Sequence, residues 1–149
     1  MQKERKWLCH RLPSWVHPDD TVFFVTICCG VRGFNSLCRN QTADVIFESI
    51  DDRTQRGIWY PFVFLLMPDH VHTVIRFNLR EGSLTNIISS WKGWIRKKTG
   101  VLWQSGFFDH RLRDEESWRE KADYVLLNPV RAGLVANSED WKYVWFPDG

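Results

Sequence analysis

Hydrophobic and polar positions change period several times along the chain, and each change marks an element. Val22-Phe23-Phe24-Val25-Thr26-Ile27-Cys28 is an unbroken β-branched and aromatic run, the pattern of a buried strand. From Thr42 to Arg53 the period lengthens. Ala43, Ile46, Phe47 and Ile50 fall at i, i+3, i+4 and i+7, which predicts a helix with one apolar stripe. Trp59 to Leu66 predicts a second strand, with Pro61 marking a strand end or a sheet edge. Met67-Pro68-Asp69 is a turn signal. His70 to Phe77 then alternates: Val71, Thr73, Ile75 and Phe77 share one face, and His70, His72, Val74 and Arg76 share the other. So short a turn between two strands predicts an antiparallel hairpin.

Ser83 to Lys98 returns to the helical period. Leu84, Ile87, Ile88, Trp91 and Ile95 form its buried stripe, Lys92 and Arg96 lie opposite, and Gly100 ends it. Trp103 to Leu112 predicts a fourth strand. Asp114 then reads as an N-cap, with Glu115 and Glu116 in the first turn of a helix whose stripe is Trp118, Ala122, Val125 and Leu126. Pro129 stops that helix near Asn128. Trp141 to Phe146 suggests a last strand.

The order is strand, helix, strand, strand, helix, strand, and a further helix. That is the α+β, ferredoxin-like (split βαβ) order: an antiparallel sheet with helices on one face, plus a C-terminal helix. We expect one domain over residues 1–149, with an irregular arm at 1–20 and a C-terminal extension at 136–149. The fold alone leaves the activity open, since it hosts many.

Composition narrows the class. Hydrophobic residues at 44% and charged residues at 26% exclude wholesale disorder. No stretch approaches the ~20 apolar residues of a membrane span. The charged start leads into no long apolar run, so no secretory signal is expected and the expected compartment is cytosolic. Cys9, Cys28, Cys29 and Cys38 contain no Cys-x-x-Cys pair, so neither a zinc ribbon nor a disulfide framework is signalled.

The small net charge of +2 hides a pattern. From Arg76 to Arg113, eight basic residues (Arg76, Arg80, Lys92, Arg96, Lys97, Lys98, Arg111 and Arg113) face only Glu81 and Asp109. From Asp114 to Tyr124, five acids outnumber two bases. A basic stretch of this kind suits a polyanion, and it also suits a solvated face. Read as a surface for a DNA backbone, it offers Lys92 and Arg96 first, with Arg76, Lys97, Lys98, Arg111 and Arg113 beside them.

Two constellations could carry chemistry. His70 and His72, two apart on a strand, project to one face and can reach one ion beside a turn open to water. The plainer reading is two half-exposed histidines on a polar strand face. Tyr124 and Asn128 lie four apart on the last helix, off its core stripe. The plainer reading there is a boundary tyrosine at the core rim. Together they suggest a reaction. A tyrosine hydroxyl, a poor nucleophile at its ordinary pKa near 10, attacks a phosphodiester once a cation withdraws charge from the phosphate. The resulting phosphotyrosine link stores the bond for rejoining. Tyr60 precedes a proline in a strand and Tyr143 sits in an aromatic run, so both suit packing better. Gly-rich phosphate loops, Ser/His/Asp sets and paired catalytic carboxylates are missing, so kinase, dinucleotide-binding and glycosidase readings have no support.

Leu66-Met67-Pro68-Asp69-His70-Val71-His72 resembles the histidine–hydrophobic–histidine (HUH) signature of single-tyrosine transposases. Tyr124-Val125-Leu126-Leu127-Asn128-Pro129-Val130-Arg131-Ala132-Gly133-Leu134-Val135 resembles their tyrosine motif, and Leu102 to His110 and Arg113 to Glu116 match between them. The nearest branch is the REP-associated tyrosine transposases, which act on short palindromic hairpins; the resemblance runs from about Val22 to Val135. It implies an HUH nuclease fold, with Tyr124 on the C-terminal helix as nucleophile on single-stranded or hairpin DNA. It implies a 5′-phosphotyrosine and a free 3′-OH. It implies His70 and His72 as metal ligands, Asn128 as the third, and Mg²⁺ or Mn²⁺ as the ion. Asp69 stands where that family often has Asn, a mild change at a turn position. The expected setting is the bacterial cytoplasm at the nucleoid, as a monomer or homodimer, with no membrane partner. Two other readings stay open: a catalytically weak module that binds DNA hairpins, and a metal-dependent hydrolase that attacks with water.

Overall fold

A computed structural model describes residues 21–113 and 115–147, with backbone only at 115–117. The arm at 1–20, Cys9 and the Asp114 cap lie outside the described residues. Five strands form one sheet: β1 (Val22–Cys28), β2 (Trp59–Met67), β3 (His70–Phe77), β4 (Phe108–Leu112) and β5 (Val144–Trp145). Their order is β4-β1-β3-β2-β5, with every described pairing antiparallel. Helices α1 (Asn40–Gln55) and α2 (Leu84–Thr99) are the two crossovers. Helix α3 (Glu115–Leu126) and the single turn α4 (Asn128–Arg131) follow β4. The first four strands, in spatial order 4-1-3-2, are the expected ferredoxin-like arrangement, and β5 extends the sheet beyond β2.

The hairpin is the expected one. β3 runs from His70 to Phe77 and pairs with β2 from Met67↔His70 to Trp59↔Phe77. Odd residues of β3 face α1 and α2. There Ile46, Ile50, Trp59, Trp91 and Ile95 pack with Val71 and Ile75 in one core. Ser83 caps α2 by accepting from Asn86 N–H at 3.1 Å, and Gly100 ends it with φ of +79°. That left-handed turn suits a residue without Cβ.

A second core fills the opposite face. Phe24, Tyr60, Phe62, Val63, Leu65 and Val74 pack there against Trp118, Ala122, Val125 and Leu126 of α3. The two crossover helices share one face as expected, and α3 covers the other. β2 is therefore buried at every position. A strand sandwiched between two helical layers is apolar on both sides, and its uninterrupted Trp-Tyr-Pro-Phe-Val-Phe-Leu-Leu-Met run is the sequence trace of that. The register slips between Pro61 and Val63, which turns both Phe62 and Val63 to the α3 side.

Some boundaries differ from expectation. The fourth strand starts only at Phe108; ahead of it, Trp103 makes one isolated bridge to Cys29, and Gly106 adopts φ of +74°. The last strand is confined to Val144–Trp145. The third helix ends at Leu126, and Pro129 restarts a single turn rather than closing the chain's helical run.

Candidate active site

The site begins at the start of β3. His70 and His72 project to the α3 face with ring centroids 4.7 Å apart and planes at 82°. Both rings are tied at Nδ1. His70 Nδ1 lies 2.7 Å from Asp69 Oδ1, and His72 Nδ1 lies 2.9 Å from the Thr26 hydroxyl of β1. Phe24 stacks on His72 with centroids 5.4 Å apart.

Asp69 is itself clamped. Its Oδ2 accepts from Gly33 N–H at 2.8 Å and pairs with Arg32 Nε at 3.3 Å. Burial pushes its carboxyl up, but the bonds from Gly33 and His70 and the charge of Arg32 outweigh this and hold it below the usual range. An ionised carboxylate only accepts, so His70 Nδ1 donates to it, which leaves Nε2 outside that bond. His72 is held down to about 3, by burial first and then by the charges of His70, Lys121, Arg131 and Arg32. It is therefore neutral at physiological pH, the state that can bind a metal.

Two imidazoles side by side fit a divalent ion that keeps further positions open. Among the described residues no group of three or more His, Cys, Asp or Glu could hold one. Asn128, the residue implied by the resemblance, opens α4, and its Oδ1 accepts from Arg131 Nη2 at 2.8 Å. That bond uses one of the two lone pairs of the amide oxygen.

Tyr124 stands on α3, 53% exposed. Trp118 and Phe62, stacked 4.1 Å apart at 17°, press this helix onto the histidine face of the sheet. Two cations flank the tyrosine ring: Arg131 Cζ at 3.9 Å and Lys121 Nζ at 4.7 Å from its centroid. Lys121 Nζ also lies 4.1 Å over the Phe24 ring, the ring that stacks on His72. Lysine, phenylalanine and histidine thus link the tyrosine to the imidazole pair.

Neither cation stands out in the sequence, where both sit near a stretch of net negative charge. A signal exists: residues 121, 124, 128 and 131 follow one another at intervals of three, four and three, one stripe of a helix. The turn at Leu127 keeps near-helical angles (φ −85°, ψ −7°), so the stripe survives the break between α3 and α4. Asp69 lies within the histidine motif, whereas Thr26 and Arg32 are distant from it in sequence and reach it only through the fold.

The basic stretch does not gather at this site. Arg76 is 5% exposed, with its guanidinium 5.2 Å from the Phe62 ring centroid, so it packs at the second core. Lys92 is half-buried, and its amine donates to the carbonyls of Gln104 at 2.8 Å and Gly106 at 2.7 Å; it ties down the segment ahead of β4. Burial lowers its pKa. Arg96, Lys97 and Lys98 are exposed on α2, across the sheet from the histidines. Arg111 and Arg113 are exposed on and just after the edge strand β4, between the two faces.

No protein-family model matches the chain. It is similar to the REP-associated tyrosine transposase of Escherichia coli strain K12, 28% identical over 88 residues, covering 56% of this chain and 52% of that protein. The match thus spans about half the length of that curated relative. A Haemophilus influenzae protein given the same name provisionally is 24% identical over 140 residues, covering 78% of this chain and 80% of that protein. Among solved structures, a REP-associated tyrosine transposase bound to a REP hairpin superposes with a TM-score of 0.71. It is 19% identical, with 92% of this chain and 82% of that one covered. Fold and paired histidines together describe an antiparallel α+β protein with two imidazoles side by side on one face of its sheet. In sequence and in fold the chain is similar to the REP-associated tyrosine transposases. No helix among the described residues is long and apolar enough to cross a membrane.

Proposed function

We propose that the protein is a metal-dependent single-stranded DNA endonuclease and strand transferase that acts on hairpin-forming DNA, with Tyr124 as its nucleophile. The observation that carries this is one face of one sheet. Two imidazoles with Nδ1 engaged lie there beneath the helix that presents an exposed tyrosine between two cations. The named relatives and the hairpin in the related structure support the DNA class.

In the reaction, the Tyr124 phenol oxygen bonds to the phosphorus of a phosphodiester, and the bond from that phosphorus to the departing 3′ oxygen breaks. The proton lost by the phenol balances the one gained by the 3′-hydroxyl. The product is a 5′-phosphotyrosine, and reversal with another 3′-hydroxyl joins strands. His70 and His72, with Asn128 as third donor, would hold Mg²⁺ or Mn²⁺, which when bound withdraws charge from the phosphate. Asp69 and Thr26 hold the two rings in place, and α3 carries the phenol on the same side of the sheet.

The test is incubation with single-stranded hairpins from the chain's own genomic neighbourhood and Mg²⁺ or Mn²⁺, followed by denaturing electrophoresis. A covalent protein–DNA adduct is expected, absent with Tyr124→Phe and with excess chelator. Cleavage without an adduct would assign attack to water. Binding without cleavage would make the chain a hairpin-binding module.

A further inference from the structure

We propose that Arg131 and Lys121 form a phosphate-binding pair that seats one particular phosphodiester of single-stranded DNA against Tyr124, an assignment that rests on the function proposed above. Four observations carry it.

The two cations lie on one helical stripe with the tyrosine and both contact its ring. Charges placed for solubility alone have no reason to converge on one exposed aromatic ring. Next, the guanidinium is held in place. Arg131 Nη2 donates to the Tyr124 backbone carbonyl and to Asn128 Oδ1, both at 2.8 Å. Those bonds both use one nitrogen of the fork. The other donors of an exposed guanidinium can then meet a phosphate, whose oxygens match that planar geometry.

Third, Lys121 is fixed between two rings, Phe24 and Tyr124, and so stands on the side of the tyrosine that leads to the histidines. A phosphate touching both cations would sit beside the phenol and toward the imidazole pair. Fourth, the cations expected from sequence to track the DNA lie elsewhere: Arg76 is in the core, Lys92 is committed to two carbonyls, and Arg96 to Lys98 lie across the sheet. Among the described residues, Lys121 and Arg131 are the two cations in contact with the Tyr124 ring.

The assay measures binding, so it does not depend on turnover. A set of fluorescent single-stranded hairpins is made in which one phosphodiester at a time is replaced by an uncharged methylphosphonate. Affinities are measured by anisotropy for a Tyr124→Phe protein and for the same protein carrying Arg131→Gln, Arg131→Lys or Lys121→Gln. At one linkage, neutralisation should weaken binding by roughly tenfold or more, the size of a lost charge-assisted hydrogen bond. With Arg131→Gln that penalty should vanish at that linkage and persist at the others. Arg131→Lys should keep the salt dependence of binding but recover only part of the linkage-specific penalty, because it restores charge without the fork. Lys121→Gln should reduce the penalty at the same linkage, which keeps the test independent of whether Arg131 variants hold α4 in place. Penalties that stay the same at every linkage in all three variants would overturn the assignment, even if wild type forms its adduct. A protein that takes up none of the hairpins and forms no adduct would overturn both this assignment and the function beneath it.

Discussion

Trp118→Ala tests whether the tyrosine helix is held to the sheet as the second core implies. Trp118 is 6% exposed and stacks on Phe62 at 4.1 Å and 17°. Truncation removes most of a side chain that buries about 150–250 Å², and the substitution commonly costs about 3–5 kcal/mol where the surroundings cannot collapse. Collapse is blocked here. The floor beneath Trp118 is β2, itself backed by Trp59, Phe64 and Trp91 of the other core, and the remaining anchors of α3 are the smaller Ala122, Val125 and Leu126. Against a total stability of about 5–15 kcal/mol, that is a large fraction. With 1 kcal/mol moving Tm by about 2–4 °C in a chain near this size, Tm should fall by roughly 6–20 °C. Calorimetry is the suitable measurement, because nine tryptophans make intrinsic fluorescence a mixed signal. Trp118→Phe keeps an aromatic stack and should lose well under half as much. Adduct formation by the alanine variant should fail at temperatures where it is still largely folded, since α3 carries the nucleophile. A variant that melts within 2 °C of wild type, or that reacts normally near its own Tm, would show that this face does not position α3 (the 2 °C margin being roughly 1 kcal/mol or less).

Asp69→Ala removes the acceptor that fixes His70; Mn²⁺ affinity by titration calorimetry should fall about 10–100-fold with little change in fold. Lys92→Met should lower stability by roughly 1–2 kcal/mol, because two carbonyls lose a charged donor, and should leave the salt slope of hairpin binding unchanged. If Arg96 and Lys97 do reach the DNA by wrapping around the sheet, the double alanine variant should reduce that slope by about 1.4; an unchanged slope would confine the DNA to the α3 face. Burial first pushes the thiols of Cys29 up to about 11 and of Cys38 up to about 12, so both stay protonated at neutral pH. In native protein at pH 7–8 a thiol reagent should leave both unlabelled, with labelling rising only on unfolding or as pH approaches those values.

Much of this protein is legible in the order of its residues. Period-two alternation in His70–Phe77 assigns every side chain of β3 to its correct face, because a pleated strand offers only two. The helical stripe of Ile87, Ile88, Trp91 and Ile95 locates the buried side of α2 just as directly, since 3.6 residues per turn leave one face for the core. The order of the histidine and tyrosine motifs along the chain likewise points to the family. What a period cannot tell is what comes to cover a face. Arg76 shares its side of β3 with the histidines, and its charge suggests exposure, yet Phe62 and α3 close over it while the strand's other end stays open at His70. Lys92 lies opposite the stripe of α2, but the chain ahead of β4 returns to it with two carbonyls, a contact spanning more than ten residues that no local pattern encodes. Lys121 and Arg131 are hidden when charge is counted along the chain. Their meaning is geometric: a helical stripe continued through one turn, pressed against the sheet by Trp118, brings both cations onto Tyr124. Local periodicity is set by backbone geometry and can be read from residue order, whereas the field around the tyrosine depends on which surfaces the second core draws together.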